Sequence, residues 1–197
     1  YYTQFQEKRS NFMDTGDFRN GLSIIYDNDI FTIVEFQHVK PGKGGAFVRS
    51  KLKNLRTGST IDKTWRAGEK MDQAILDRSA MQYLYEQDGE YFLMDMETFE
   101  QIGVPQALIG SQAKYMKENM DVQVVKHKDA IVQVNVPDFM VLEVIETDPG
   151  VRGDTASGGS KPATVEGGAV VAVPFFINIG DKLKIDTRSD SYLERVK

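Results

Sequence analysis

Short apolar runs recur about every ten residues in this chain, and nearly every gap between them holds Gly, Asn or Asp. Leu22 to Tyr26, Ile30 to Phe36, Ala46 to Leu55 and Ser59 to Arg66 are such runs. Between them stand Asp27-Asn28-Asp29, a Pro/Gly tip at 41–45 and a turn at Asn54 to Gly58. Runs this short, with turn residues between them, read as strands that bury one face by closing into a small β-barrel. Ile33 and Val34 are expected in its core, and Trp65 is expected in the core or at the barrel rim.

The pattern continues past Ala67-Gly68-Glu69, with a linker expected near 71–77. Met81 to Glu86, Tyr91 to Met94 and Phe99 to Ile102 are further strands, and Asp88-Gly89 between the first two is a hairpin signal. Ser111 to Met120 predicts a helix, capped by Ser111, with Ala113, Met116 and Met120 at helical spacing. Asp121 to Lys126 and Ala130 to Val136 return to strands, and five strands with one short helix match the OB pattern. A third β segment holds Val141 to Glu146, Ala169 to Phe176 and Lys182 to Asp186. Its Gly/Ser/Thr stretch, Asp148 to Thr164, reads as a long loop of the kind that is either functional or disordered. The expected division is an N-terminal extension at 1–13, excluded from fold reasoning, then domains at 14–77, 78–138 and 139–197.

The 197 residues contain no cysteine, which excludes disulfides, thiol catalysis and cysteine-based zinc sites. His38 and His127, the two histidines, stand far apart, so a histidine-rich metal site is not expected. No run of 18 or more apolar residues exists, so no membrane span is expected. Net charge is −5, yet its distribution is uneven. From Val34 to Arg66, Lys40, Lys43, Arg49, Lys51, Lys53, Arg56, Lys63 and Arg66 face two acids, Glu35 and Asp62. That segment carries +6 and the remainder −11. A basic module on an acidic body is the pattern of a protein that meets phosphates with one end. A merely solvated hairpin face is the plainer reading, but eight of ten charges of one sign disfavour it.

The most distinctive stretch is Phe36 to Arg49, two strand-like arms around Pro41, Gly42, Lys43, Gly44 and Gly45. Pro41 presets φ for a turn, and Gly42 is expected to supply the positive φ of a type II turn. Three glycines around one lysine are costly in chain entropy unless something must approach closely. Lys43 therefore reads as presented, not packed. Elsewhere no two carboxylates share an apolar background, no serine sits in a nucleophile elbow, and the Gly-rich stretch lacks a phosphate-loop frame. No active site, metal site or cofactor is expected.

Pro41-Gly42-Lys43-Gly44 within HVKPGKGGAFVR resembles the tip of bacterial elongation factor P. Lys161-Pro162-Ala163, four residues, then Gly168 through Val171, Ala172-Val173-Pro174-Phe175-Phe176-Ile177-Asn178-Ile179-Gly180 fits the long C-terminal signature of that family at every fixed position. The resemblance runs from about Asp17 to the C-terminus. It implies an all-β chain of three small barrels, a KOW/SH3-like barrel followed by two OB folds, in an elongated, tRNA-like shape. It implies a monomeric, non-enzymatic translation factor that binds both ribosomal subunits between the exit and peptidyl sites. There it lies against peptidyl-tRNA and relieves stalling on consecutive prolines. Lys43 takes the position of the tip lysine that reaches the acceptor end. Lys40, Arg49, Lys51, Lys53 and Arg56 are candidate RNA contacts. Gly153, Asp154 and Thr155 match the third-domain loop that lies toward the small subunit. Lysine at the tip removes the rhamnosylation route of arginine members. A lysine-modifying enzyme that adds β-lysine or an aminopentanol group, or no modification, remain open. The expected location is cytoplasmic, or plastid stroma if residues 1–13 are the end of a transit segment.

Two other classes stand beside this one. A generic RNA-binding barrel protein would need the basic hairpin alone, not three β segments with the C-terminal signature. An enzyme built on the Gly-rich loop would need a base or metal cluster, which the sequence does not provide.

Overall fold

The computed structural model describes residues 12–149 and 159–196. Its first sheet holds β1 (Phe12–Asp14), β2 (Ser23–Tyr26), β3 (Asp29–Val39), β4 (Phe47–Asn54), β5 (Thr60–Arg66) and β6 (Lys70–Gln73). They lie in the order β1-β6-β2-β3-β4-β5. Asp27 and Asn28, with φ of 51° and 60°, make the two-residue turn between β2 and β3. The apolar faces of these strands meet in one core of Phe18, Ile24, Ile33, Val48, Leu52 and Trp65, among others. Trp65 is buried, as expected, and donates its indole N–H to Ser50 Oγ at 2.8 Å. Phe18 and Tyr26 meet its rings edge-on at 5.9 and 5.5 Å.

Two readings change in this sheet. Phe12 and Met13, set aside with the extension, pair with Asp72 and Met71, and Met13 is buried. The same pairing makes the expected linker at 71–77 a strand and a core contact, since Met71 and Ala74 are both buried. Strands of three and four residues are too short to show a period. The remaining residues of the extension, 1–11, lie outside the described residues.

The turn from β4 to β5 is stapled by Asn54, whose side chain accepts from the Arg56 and Thr57 amides and donates to Asp29. Arg56 reaches the same Asp29 carboxylate at 2.6 Å. Arg56 first, then Asn54, holds Asp29 below the usual carboxyl range.

A second sheet contains β7 (Leu76–Gln87), β8 (Glu90–Met94), β9 (Gln101–Pro105), β10 (Asp121–His127) and β11 (Ala130–Asn135), in the order β11-β10-β7-β8-β9. Asp88 and Gly89 turn β7 into β8, with φ of 54° and 83°. The helix expected over 111–120 is instead a 3-10 helix at Gly110–Tyr115 that has no side-chain cap. Met116 leaves in an extended conformation and Asn119 has φ of 65°, so the turn cannot propagate. Phe99, expected in a strand, sits in a turn with φ of 58° and is exposed.

The third set closes into a barrel: β12 (Phe139–Thr147), β13 (Ser160–Val165), β14 (Val170–Pro174), β16 (Ser191–Val196) and β15 (Lys182–Asp186). Numbered one to five in chain order, each of the last two sets has the strand sequence 5-4-1-2-3. The third set alone adds the parallel pair Ala172↔Ser191 that closes the ring. β13 corrects the expected loop, which ends before Ser160. Its inward residues are Lys161, Ala163 and Val165, too weakly apolar to announce a strand.

Among the described residues, 12–77 with Lys126–Gln133 form one compact unit, and Arg78–Val125 with 134–149 and 159–196 form a second. Inside the second unit, Tyr115 donates to Asp190 Oδ1 at 2.7 Å and Lys114 to Oδ2 at 2.6 Å. Burial acts to raise the Asp190 pKa, but these two donors hold it below the usual value. Burial and this acceptor together push the Tyr115 phenol up. Lys117 pairs with Glu166, and Gly167 lies where a Cβ would meet the Lys114 carbonyl at 2.7 Å. Arg188 forks onto Asp186 and holds that carboxyl down to about 2.

Two outcomes test this packing, both read from the single tryptophan. Ser50→Ala leaves the buried indole N–H without its acceptor. It should cost about 1–3 kcal/mol in urea unfolding followed by Trp65 emission, and an unchanged midpoint contradicts the role given to Ser50. The Asp29 contribution is present above the unfolded carboxyl value, about 3.9, and is lost as pH falls through the lower folded value. Arg56→Ala should therefore lower the urea midpoint at pH 7, with the gap to the parent closing as pH falls below the unfolded carboxyl value and through the lower folded one. A gap that persists in acid places the effect elsewhere.

Candidate nucleic-acid interface

Burial along β4 alternates strictly: Val48, Ser50, Leu52 and Asn54 point in, and Arg49, Lys51 and Lys53 point out. The period of two thus lays three cations along one face of the sheet. Across the ladder, Arg49 stands between Gln37 and Thr64, and Lys51 between Glu35 and Asp62. The two acids of the basic segment therefore both flank Lys51. These residues line a shallow groove over β3, β4 and β5. An extra residue, Val34, makes a bulge where Ile33 pairs with Leu52 and Glu35 with Lys51. Bulges of this kind bend and twist a strand.

The ladder of β3 and β4 ends at Val39↔Phe47, so residues 40–46 are unpaired. Lys43 is the midpoint of these seven. Every residue from Lys40 to Ala46 is exposed, and among the described residues none forms an ion pair or hydrogen bond with Lys43. The turn chemistry differs from expectation. Gly44 takes the left-handed φ, at 107°, and Gly42 does not. A Cβ at Gly42 or Gly45 would meet nothing within 4 Å, so the glycines leave open space on both sides of Lys43.

The remaining candidates are not equivalent. Lys40 and Lys53 are exposed cations without ion pairs among the described residues. Arg49 rests over the Phe47 ring at 5.4 Å. Arg56 is at the opposite end of β4 from the tip and holds Asp29. Lys63 lies over the Tyr26 and Trp65 rings, and its interaction with the Tyr26 side chain raises its pKa. His38 is exposed, with its ring edge-on to Phe36 at 5.6 Å.

Gly153, Asp154 and Thr155 lie outside the described residues. The stem that carries them is described. Thr147 Oγ1 donates to the Pro162 carbonyl at 2.9 Å, and buried Lys161 donates its ammonium to the Asp148 carbonyl. Lys161 is the residue that sequence reasoning passed over. Its burial follows from its inward place in β13, a strand the sequence does not announce. Among the described residues no group of three His, Asp or Glu is placed to hold a metal ion, and no helix is long and apolar enough to cross a membrane.

Three family models match successive parts of the chain: the elongation factor P KOW-like domain over residues 14–71, its OB domain over 76–134, and the elongation factor P C-terminal domain over 140–195. The elongation factor P of Pelotomaculum thermopropionicum is 56% identical over 184 residues, spanning 93% of this chain and 100% of its own length. That of Thermoanaerobacter sp. is 57% identical over 182 residues, 92% of this chain and 98% of its own. The Synechococcus elongatus protein is 52% identical over 183 residues, 93% and 99%. Among solved structures, eukaryotic translation initiation factor 5A from Methanococcus jannaschii aligns with a TM-score of 0.51 at 22% identity, covering 62% of this chain and 92% of that one. A factor 5A family protein from Naegleria fowleri gives 0.52 at 16%, covering 64% and 97%. These two likenesses concern the fold alone. The all-β, KOW-and-OB reading of the sequence is therefore borne out. The chain belongs to the elongation factor P family and is a translation elongation factor.

Proposed function

We propose that this factor binds the ribosome between the exit and peptidyl sites and positions peptidyl-tRNA when peptide-bond formation stalls on consecutive prolines. The observation that carries the reading is Lys43: the midpoint of a seven-residue tip, exposed, unpaired among the described residues and free of neighbouring side-chain bulk. A cation so placed reaches into a crowded RNA cavity and contacts the backbone of the acceptor end. The outward cations Lys40, Arg49, Lys51 and Lys53 hold the barrel against phosphates. Orienting a poor acceptor lowers the entropic part of the barrier. The ribosome performs the chemistry, and no catalytic group or cofactor of this chain enters the step.

In this reading the expected domains 14–77, 78–138 and 139–197 stand, with Phe12 and Met13 joining the first. The third-domain loop with Gly153, Asp154 and Thr155 meets the small subunit, and a lysine-modifying enzyme is a partner if the Lys43 amine is lengthened. The acidic middle segment, −5 over Arg78 to Phe139, keeps that domain from clinging to RNA.

Lys43→Ala should change stability by no more than about 0.5 kcal/mol, the usual range for an exposed site. It should nevertheless abolish rescue of a Pro-Pro-Pro reporter and leave a proline-free reporter unchanged. Lys43→Arg should also fail, because a planar guanidinium replaces a compact, modifiable amine. Full rescue by both variants rejects the assignment. Charge reversal tests the sheet face independently. Lys40→Glu and Lys53→Glu should each remove roughly 0.7 to 0.9 from the log–log salt slope of ribosome binding. Arg56→Glu should remove less, because Arg56 already holds Asp29. Equal loss at all three positions shows that the Asp29 pair does not withhold Arg56.

A further inference from the structure

Aromatic rings in this chain repeatedly carry a cation from the same chain. Arg49 lies over Phe47, Lys63 over Tyr26, Arg188 over Phe139 and Arg195 over Phe176, all within 5.7 Å of the ring centre. The outer face of the second sheet departs from this habit. There Tyr85 of β7 and Phe92 of β8 pair across the ladder and stack, with centroids 4.8 Å apart and planes at 20°. Tyr85 is 40% exposed. Among the described residues no cation lies over either ring. The sequence explains why: from Ser79 to Ala113 there is no Lys, Arg or His, while six carboxylates occur, at Glu86, Asp88, Glu90, Asp95, Glu97 and Glu100.

Gly103 on β9 is the register partner of Phe92. Its φ is not in the left-handed region, so the backbone does not call for glycine. A Cβ there would meet Glu90 Oε2 at 2.9 Å and Phe92 Cε1 at 3.4 Å. The glycine therefore makes room for an arrangement in which a carboxylate oxygen and an aromatic edge lie close over the β9 backbone, beside a stacked pair. An arginine is the group that suits it. Its guanidinium accepts the carboxylate through N–H donors and lies over an aromatic face, with attraction of about 0.5–2 kcal/mol from the ring. Nucleic acid does not suit it, since single-strand binding couples aromatic stacking to a positive groove, and the charge placed beside this stack is the Glu90 carboxylate.

We infer that the outer face of β7, β8 and β9 is a docking surface for an arginine-bearing basic polypeptide, which places a guanidinium between the Glu90 carboxylate and the Tyr85–Phe92 stack. The chain would then meet its partners with two chemistries, phosphate at the basic barrel and basic protein at the acidic sheet.

The test needs no ribosome, so it stands or falls apart from the proposed function. The full chain is titrated with a synthetic peptide of alternating Arg and Gly, with the same peptide carrying citrulline for arginine, and with a ten-residue uridine oligonucleotide. Binding is measured by calorimetry and by the ring signals of Tyr85 and Phe92 in NMR. The arginine peptide should bind and move both rings, and the other two should not. Tyr85→Ala, Glu90→Gln and Gly103→Ala should each weaken binding by about tenfold, the loss of one desolvated cation–ring or carboxylate contact. Gly103→Ala changes no charge and touches only the movable Glu90 end and the Phe92 edge, so it separates a shaped site from diffuse attraction. Equal binding by the parent and both the Tyr85→Ala and Gly103→Ala chains overturns the proposal. So does movement of the same rings by the oligonucleotide.

Discussion

The register between β3 and β4 is the constraint on which the exposed tip and the cationic face of the first sheet depend. Because the ladder stops at Val39↔Phe47, the loop has an odd number of residues, and Lys43 stands at its centre. The same register puts Val48, Ser50, Leu52 and Asn54 inside and three cations outside. A slip of one residue would reverse both faces at once, burying Arg49, Lys51 and Lys53 and exposing the core row. Two polar anchors oppose such a slip. Ser50 is held under the Trp65 indole, and Asn54 is held by Asp29 and the amides of the following turn. Specificity of the ladder thus rests on buried hydrogen bonds as much as on apolar contact.

The charge pattern is more selective than its sum suggests. A segment with +6 does not offer six equal cations. Glu35 and Asp62 flank Lys51, Asp29 holds Arg56, and Lys63 covers aromatic rings. The exposed cations of this segment with no ion pair, flanking acid or ring contact among the described residues are Lys40, Lys43 and Arg66 toward the tip and Lys53 farther along β4. Positive charge is thereby concentrated toward the tip that presents Lys43.

The second and third sheets solve one connectivity in two ways. Both follow the same strand order, yet only the third gains the parallel contact that closes a ring. The Tyr115–Asp190 and Lys114–Asp190 contacts tie their segments together inside one unit, and Gly167 permits the close backbone approach there. Removing either donor would leave the partly buried Asp190 carboxylate with less compensation for its lost hydration.

Local chemistry in the sequence determined most strands, three of the turns, the buried tryptophan and the exposure of Lys43. Alternation, Asn-Asp and Asp-Gly turns and glycine clusters act over a few residues, so a linear reading captures them. The family resemblance rested on equally local strings at the tip and in the C-terminal signature. Tertiary structure alone decided what depends on a distant partner. β1 and β6 exist because they pair with each other across nearly sixty residues, as the match Met13↔Met71 shows. β13 is a strand because a closed barrel accepts a buried lysine whose ammonium reaches a carbonyl across the loop stem. The helix at 111–120 was lost because Tyr115 and Lys114 are held by Asp190, about seventy-five residues away, and tertiary contacts outweigh helical spacing. Which cations remain free, and which aromatic pair lacks one, were likewise settled only when the strands were laid side by side.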